Sequence, residues 1–255
     1  MEKNEKLRVI FIGAHPDDEG FCSGTLAKYV KSGHEVTIIS ATKGERGHYK
    51  IPPEELKEIR TNELKNVAKI LGAKVMFLDY EDASVPPPHD MRDAFVNLLR
   101  KLRPNIVITW HPYTDRDDHR NIGQAVYDAC FKSSLPLVKT EDPFITLPRI
   151  YFIGEPVYPS EPNLYVDITS VIKIKIEAVK AHKSQLEEWI PWSYEMGTGG
   201  KIKPDLNLII NYFVKQRGRK YGLASGVKYA EEFRIIGSGM LEVKAKQLLP
   251  YTISF

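Results

Sequence analysis

The first half of the chain alternates short apolar runs with longer segments in which apolar residues recur every three or four positions. Four apolar runs predict buried strands, at residues 8–14, 35–41, 74–78 and 105–110. Three periodic segments predict amphipathic helices, at residues 20–32, 53–71 and 90–102. Strands that alternate with helices are typical of a parallel sheet covered on both faces. The pattern therefore predicts an α/β fold, a doubly wound, Rossmann-like and mostly parallel sheet.

The second half of the chain has a less regular pattern. It predicts strands at 149–153 and 165–166, and helices at 170–182 and 205–217. The loop at 158–162 and the glycine-rich stretch at 197–200 are interpreted as mobile rims of a site, not as domain boundaries. We therefore expect one domain over residues 1–255, with a Rossmann-like core at about 7–135 and a less regular part at about 136–255.

Composition narrows the class of protein. The 255 residues are 42% hydrophobic and 27% charged, and the net charge of +3 is too small and too scattered to favour a nucleic-acid partner. No apolar stretch approaches the roughly 20 residues of a membrane helix, and the polar N-terminus has no signal-peptide core. We expect a cytoplasmic protein without integral membrane association. Cys22 and Cys130 are predicted to be reduced packing residues.

Polar clusters follow each of the four predicted strands of the first half. They lie at residues 15–19, 42–48, 79–82 and 111–120. In parallel sheets ligands bind beyond the carboxyl ends of the strands, so these clusters are expected to converge on one edge. No G-x-G-x-x-G follows the first strand, which argues against a nucleotide-binding protein of the same architecture.

The cluster behind the first strand has the residue types of a metal centre. His15 and Asp18 are three positions apart at a strand-to-helix turn, so both side chains can face one ion, and His119 is placed to supply a third ligand. Two histidines and one aspartate leave a coordination position open, which is typical of catalytic zinc, and zinc lowers the pKa of bound water to about 7. Asp17 is placed to accept the proton of that water. Three candidate ligands beside a candidate base predict a metal-dependent hydrolase.

The sequence resembles the LmbE / PIG-L superfamily of zinc-dependent de-N-acetylases. The hallmark string is Ala-His-Pro-Asp-Asp-Glu at 14–19. Further similar segments follow in the family's order, at 42–47, 60–64, 77–82, 166–169, 175–185 and 229–234. The resemblance thus covers nearly the whole chain and implies an LmbE-like fold.

The resemblance implies a function for the first motif. His15, Asp18 and His119 match the zinc ligands, and Asp17 matches the general base. One Zn²⁺ per subunit is implied, although another divalent transition metal would also suit the site. The implied reaction is hydrolysis of the acetamide of an N-acetylglucosamine-type substrate, releasing acetate and a free amine. Relatives are often homo-oligomers, which implies the same for this chain.

One departure from the family pattern concerns oxyanion stabilisation. Members usually carry His-Pro-Asp-His where this chain has Arg116-Asp117-Asp118-His119. In the family, the first histidine of this string helps to stabilise the oxyanion. Losing one such donor typically costs about 2.7–4 kcal/mol of transition-state stabilisation. Either Arg116 or His111 is expected to replace it. The alternative is a metal-binding protein of the same fold without deacetylase activity.

Five further residues are predicted to contact substrate: Glu45, Arg46, Arg60, Asp82 and His182. Each of four has a structural alternative, since Arg46 and Arg60 can be surface charges, Asp82 a turn cap and His182 a core residue. Glu19 is interpreted as a favourable charge at a helix start. Trp189 and Trp192 either pack in the core or stack on a sugar ring.

Overall fold

The computed structural model describes residues 6–154 and 162–235 and the backbone of 252–253. Five parallel strands form the main sheet: β1 (Arg8–Gly13), β2 (Glu35–Ser40), β3 (Lys74–Phe77), β4 (Ile106–Trp110) and β5 (Arg149–Ile153). Their order is β3-β2-β1-β4-β5. From β1 the chain adds β2 and β3 on one side of the sheet, and then returns to add β4 and β5 on the other side of β1. Such a switch point opens a crevice at the carboxyl ends of β1 and β4. The predicted α/β class and parallel sheet are confirmed.

Helices cover both faces of this sheet. They are α1 (Ser23–Lys31), α2 (Pro53–Leu71), α3 (Pro88–Leu102), α4 (Asp117–Ser133) and, from the second half, α5 (Ile172–Lys180). Alternation along β1 explains the arrangement, because successive side chains of a strand point to opposite faces. Val9 and Phe11 pack with α1, α2 and α5, whereas Ile10 and Ile12 pack with α3 and α4. The continuous apolar run of β1 is therefore buried on both sides.

The second half adds a three-stranded antiparallel sheet and short helices. The sheet has the order β7-β6-β8, with β6 (Leu164–Asp167), β7 (Ala230–Phe233) and β8 (Thr252–Ile253). The helices are α6 (Ile190–Gly197), α7 (Leu206–Ile210) and α8 (Arg217–Ser225), with π-helical turns at Ser184–Trp189 and Asn211–Gln216. Strand β7 was not predicted, since its sequence, Ala-Glu-Glu-Phe, lacks an apolar run.

Two predicted helices are divided in the structure. Residues 20–32 form a 3₁₀ turn, Asp18–Phe21, followed by α1, because Cys22 between them has a non-helical φ of −126°. Residues 205–217 form α7, a π-helical turn and the beginning of α8.

Several smaller predictions have clear outcomes. Cys22 and Cys130 are buried and free, as expected. The rim predicted at 197–200 is the end of α6 and an exposed turn, while the other rim, at 158–162, lies outside the described residues except for Pro162. Among the described residues, no helix is both long and apolar enough to cross a bilayer.

Candidate active site

The loop between β1 and α1 lies at the switch point of the sheet and carries the first motif. Gly13 ends β1, and a Cβ atom there would lie 2.8 Å from Cβ of Asp18, so the loop folds back over a residue without a side chain. Asp18 opens the 3₁₀ turn, and His119 lies in the first turn of α4, directly after the neighbouring strand β4. The pairing of β1 with β4 therefore brings residues about a hundred positions apart into contact.

His15, Asp18 and His119, here called the ligand cluster, direct their polar atoms towards one another. His15 Nδ1 lies 3.1 Å from His119 Nε2, which lies 3.3 Å from Asp18 Oδ1. His15 Nδ1 and Asp18 Oδ1 are 3.9 Å apart. Ligand atoms of a tetrahedral zinc ion with bonds of about 2.0–2.1 Å lie roughly 3.3 Å apart. The spacing and the two-histidine, one-aspartate donor set both fit a divalent transition metal.

The electrostatics of the ligand cluster follow from burial and close charges. Burial alone would raise the pKa of Asp18, but His119 and His15 hold it well below its usual range. Burial acts to lower the pKa of His15, yet hydrogen bonds to Asp118, Asp18 and Asp82 raise it well above the ordinary value. The charge states of His15 and Asp18 therefore depend on their neighbours.

The other edge of the His15 ring faces two carboxylates. Nε2 lies 3.0 Å from Asp82 Oδ1 and 3.2 Å from Asp118 Oδ2. Backbone amides hold both acids in place: Arg46 donates to Asp82, while Ala83 and Val85 donate to Asp118. A carboxylate on the far nitrogen is the usual device that orients a metal-binding histidine. This role of Asp118 was not predicted from the sequence, where Asp118 is named only within the segment 116–119.

Asp17 has a strained backbone. Its φ of 137° lies in the region that favours glycine, a conformation that costs about 1–3 kcal/mol in other residues. The Arg60 guanidinium lies 3.2 Å from Asp17 Oδ1 and donates a hydrogen bond of 2.6 Å to the carbonyl of Pro16. Burial raises the pKa of Asp17, and Arg60 opposes that rise. The side chain of Asp17 remains 35% exposed, so it is accessible to a ligand.

Arg60 is a buried residue, which makes its interpretation as a surface charge wrong. Its side chain is 3% exposed and also donates to the carbonyl of Gly44. Gly44 has a φ of +68°, and a Cβ atom there would lie 2.3 Å from Nη1 of Arg60. The glycine of the 42–47 segment is therefore required because the guanidinium packs directly on its backbone.

Glu19 and His182 form a buried pair behind Asp17. Their Oε1 and Nε2 atoms lie 2.7 Å apart, and the backbone N–H of Asp17 donates to Glu19 Oε2 at 3.2 Å. Glu19 does lie in the first turn of a short helix, as predicted, but it is 1% exposed and bound to His182, so the description as a helix-start charge was incomplete. Asp17, Glu19, Arg60 and His182 are called the support cluster below.

The remaining predicted substrate residues lie around Asp82. Glu45 accepts the backbone N–H of Asp82 at 2.9 Å. The exposed Arg46 donates to the carbonyl of Asp82 and pairs with Glu81. These contacts tie the loop after β2 to the loop after β3 beside His15.

The two candidates for oxyanion stabilisation lie in different surroundings. Arg116 precedes α4 and its side chain is exposed. His111 is 6% exposed, accepts the backbone N–H of Tyr113 at 3.1 Å, and packs edge-on against Phe152. Burial and the positive charge of Arg234 lower the pKa of His111.

Two tryptophans of the second half belong to an aromatic stack. Trp192 stacks on the exposed Tyr49 with ring centroids 4.8 Å apart, and Trp189 stacks on Trp192 at 5.2 Å. Trp189 and Trp192 therefore both make packing contacts, as the first of the two alternatives expected. Tyr49 lies five residues after Gly44, the glycine whose carbonyl accepts a hydrogen bond from Arg60.

The comparisons with known proteins agree with the fold and the motifs. The family described as "PIG-L: GlcNAc-PI de-N-acetylase" matches residues 10–130. The diacetylchitobiose deacetylase of Thermococcus kodakarensis is 32% identical over 237 residues, which cover 89% of this chain and 84% of the relative. The chain belongs to the PIG-L (LmbE-like) family.

Solved structures give the same fold. The N,N'-diacetylchitobiose deacetylase of Pyrococcus horikoshii, complexed with an inhibitor, matches with a TM-score of 0.75 and 28% identity, over 91% of this chain and 84% of that chain. The 4-carboxy-2-hydroxymuconate hydratase of Pseudomonas putida matches with a TM-score of 0.71 and 22% identity, over 91% and 97%. The second similarity concerns the fold alone. Because a hydratase shares this fold, the reaction must be argued from the site.

Proposed function

We propose that the protein is a metal-dependent amidohydrolase that removes the acetyl group from an N-acetylglucosamine-type substrate. The observation that carries the proposal is the convergence of two imidazole nitrogens and one carboxylate oxygen beside an accessible second carboxylate, Asp17. Relatives that are named deacetylases of acetylated glucosamine derivatives support the same reaction.

His15, Asp18 and His119 would hold the ion, with Zn²⁺ the first candidate. When bound, the ion supplies a Lewis acid that polarises the amide carbonyl and acidifies water. Asp82 and Asp118 hold the His15 ring so that Nδ1 faces the other two ligands. Asp82 is thereby assigned to His15, although the sequence had suggested a contact with substrate.

Asp17 is the proposed general base. Its Oδ1 is paired with Arg60, so Oδ2 is the oxygen that would accept a proton from the attacking water. As the amide C–N bond breaks, the same oxygen would pass that proton to the nitrogen, so that the sugar keeps a free amino group and the acetyl group departs with the oxygen of the water as acetate. Arg60 and His182 hold Asp17 directly and through Glu19, and we propose positioning roles for them.

The negative charge that would develop on the acetamide carbonyl oxygen would need a hydrogen-bond donor or a positive charge supplied by the chain. His111 and Arg116 stay the two proposed candidates, since each lies in the segment between β4 and the first turn of α4. Glu45 and Arg46, at the rim beside Asp82, are the proposed contacts for sugar hydroxyls. Cytoplasmic location and assembly into a homo-oligomer stay predictions.

The test is a joint measurement of metal content and amine release. The purified protein is analysed for zinc, then assayed with N-acetylglucosamine, N,N'-diacetylchitobiose and other N-acetylated amino sugars, with added zinc and with chelator. We expect about one metal per chain and chelator-sensitive release of amine and acetate in equal amounts. Stoichiometric metal with no turnover would favour a metal-binding protein without deacetylase activity. Failure to bind any divalent metal would refute the proposal.

A further inference from the structure

Trp110 contacts two of the three residues of the ligand cluster at once. It is the last residue of β4 and is 3% exposed. Its Nε1–H donates to Asp18 Oδ2 at 2.7 Å, and its ring stacks on His119 with centroids 3.9 Å apart and planes 8° apart. No other side chain in the described residues combines a hydrogen bond to Asp18 with a parallel stack on His119. In the sequence, Trp110 is only the last apolar residue of a predicted buried strand.

The hydrogen bond from Trp110 makes the two carboxylate oxygens of Asp18 different from each other. Oδ2 accepts three N–H groups: the backbone amides of Ala14 at 2.7 Å and His15 at 2.9 Å, and the indole of Trp110. A carboxylate oxygen that accepts three donors has no lone pair left for another partner. Oδ1 is therefore the oxygen that remains for a ligand, and it is the one that lies 3.3 Å from His119 Nε2.

The stack replaces a hydrogen bond that His119 lacks. A metal-binding histidine normally donates its second ring N–H to a carboxylate, a carbonyl or water, which fixes the ring. His15 has Asp82 and Asp118 for this purpose. Within the described part of the chain, Nδ1 of His119 is buried and has no hydrogen-bond partner. The parallel indole face is then the contact that holds the plane of the His119 ring.

The indole is itself held tightly. Phe21 packs edge-on against it, with centroids 4.9 Å apart. Gly154 also lies against the indole, since an added Cβ atom there would be 2.5 Å from Cζ3 of the ring. A ring clamped in this way can transmit its orientation to the two groups that it touches.

We propose that Trp110 is a positioning residue for the metal: it selects Oδ1 of Asp18 as the ligand oxygen and fixes the His119 ring. This inference rests on the proposed metal-dependent function. Phenylalanine at position 110 would keep an aromatic face but remove the N–H donor, and leucine would remove both. The two variants therefore separate the hydrogen bond from the stack.

The experiment measures Co²⁺ and Zn²⁺ affinity by chelator competition, together with the visible absorption spectrum of bound Co²⁺, for wild type, Trp110→Phe and Trp110→Leu. We expect affinity to fall about 10–100-fold in Trp110→Phe and further in Trp110→Leu, with altered Co²⁺ absorption. Phe95→Leu is the matched control, because Phe95 is equally buried but packs on the opposite face of the sheet. It should lose stability without any change in metal affinity or spectrum.

A second measurement covers the case in which a Trp110 variant does not fold. The chain has three tryptophans, so Trp189→Phe/Trp192→Phe leaves Trp110 as the only one. Co²⁺ should quench the fluorescence of Trp110, and the midpoint of this quenching should equal the midpoint of the absorption titration. Unchanged fluorescence, or wild-type affinity and spectrum in folded Trp110 variants, would overturn the inference while leaving the metal site in place. A wild-type protein that binds no metal would overturn the proposed function as well.

Discussion

The ligand cluster and the support cluster share one short loop but are built in opposite ways. In the support cluster each acid has a basic partner, Arg60 for Asp17 and His182 for Glu19. In the ligand cluster two imidazole nitrogens face each other at 3.1 Å beside a single carboxylate. Pairing avoids the large penalty of leaving a buried charge without a partner. Two like groups directed at one point are costly to bury, so their arrangement is the mark of a binding site.

The backbone of Asp17 gives two consecutive aspartates different surroundings. Asp17 and Asp18 are chemically identical neighbours, yet the positive φ of Asp17 turns its side chain towards Arg60 while Asp18 faces His119. The strained residue is thus the one that separates the two clusters. If this division is correct, changes in one cluster should remove metal and changes in the other should reduce catalysis or stability.

The largest effect is expected from His119→Ala. Removing one of two imidazole ligands leaves His15 and Asp18, which is too few to hold a transition metal tightly. We expect stoichiometric metal and turnover both to be lost, as measured by elemental analysis and amine release. His34→Ala is a suitable control, since His34 pairs with the backbone of Leu7 at the opposite end of β1. Full metal content in His119→Ala would show that His119 is not a ligand.

Asp17→Asn should separate the two clusters most clearly. The amide keeps the shape of the side chain but cannot accept a proton, so turnover should fall by about 10²–10⁴-fold. Metal content should stay at the wild-type level, because Asp17 belongs to the support cluster. Steady-state kinetics and elemental analysis of the same preparation check both statements. Activity within a few-fold of wild type would exclude Asp17 as the base.

His182→Leu tests the structural side of the comparison. The change leaves Glu19 buried without its partner, and breaking a buried pair in this way typically costs about 3–5 kcal/mol of unfolding free energy. Urea denaturation measures the loss. The double variant Glu19→Leu/His182→Leu buries no lone charge and should be less destabilised than the single variant. A double variant that is the less stable of the two would contradict the pairing argument.

The smallest effect is expected from Lys74→Ala. This change removes an ion pair at the surface that is about as short as the buried pair of Glu19 with His182. Lys74 is 68% exposed and its partner Glu35 is 34% exposed, so the pair should contribute only about 0.2–1 kcal/mol. The hydrogen bond from Lys74 lowers the pKa of Glu35 below its ordinary value. Its contribution is therefore present at neutral pH and disappears as the pH falls through the folded-state pKa. Denaturation at pH 7 and in acid should show this loss, and a penalty near that of His182→Leu would refute the contrast.

Much of the fold was predictable because its signals are local. The apolar runs of β1, β2 and β4 and the periodicity of α2 come from burial on the two faces of the sheet, which leaves a direct trace in the sequence. Strand β7 leaves no such trace. Its Glu231 is buried because it pairs with Lys175 and accepts the backbone amides of Gly24 and Thr25, which are partners from distant segments.

The candidate site divides in the same way. His15, Asp17 and Asp18 could be predicted as site residues from the single segment 14–19. Polar groups that are costly to bury directly follow a buried strand there, which is typical of a site. Trp110, Asp118 and Glu19 were missed or underestimated, because each matters through a contact made across the sheet or from another loop.

By itself, the sequence determined the parallel α/β architecture, the family and the chemical groups of the first motif, because hydrophobic period and motif spacing are properties of adjacent residues. Only the tertiary structure decided which way each polar side chain faces. It assigned Asp17 to Arg60, Asp18 to His119 and Trp110, and the second edge of His15 to Asp82 and Asp118. The physical reason is that the backbone strain at Asp17 and contacts between loops set these directions, and the loop contacts depend on which strands are neighbours in the sheet.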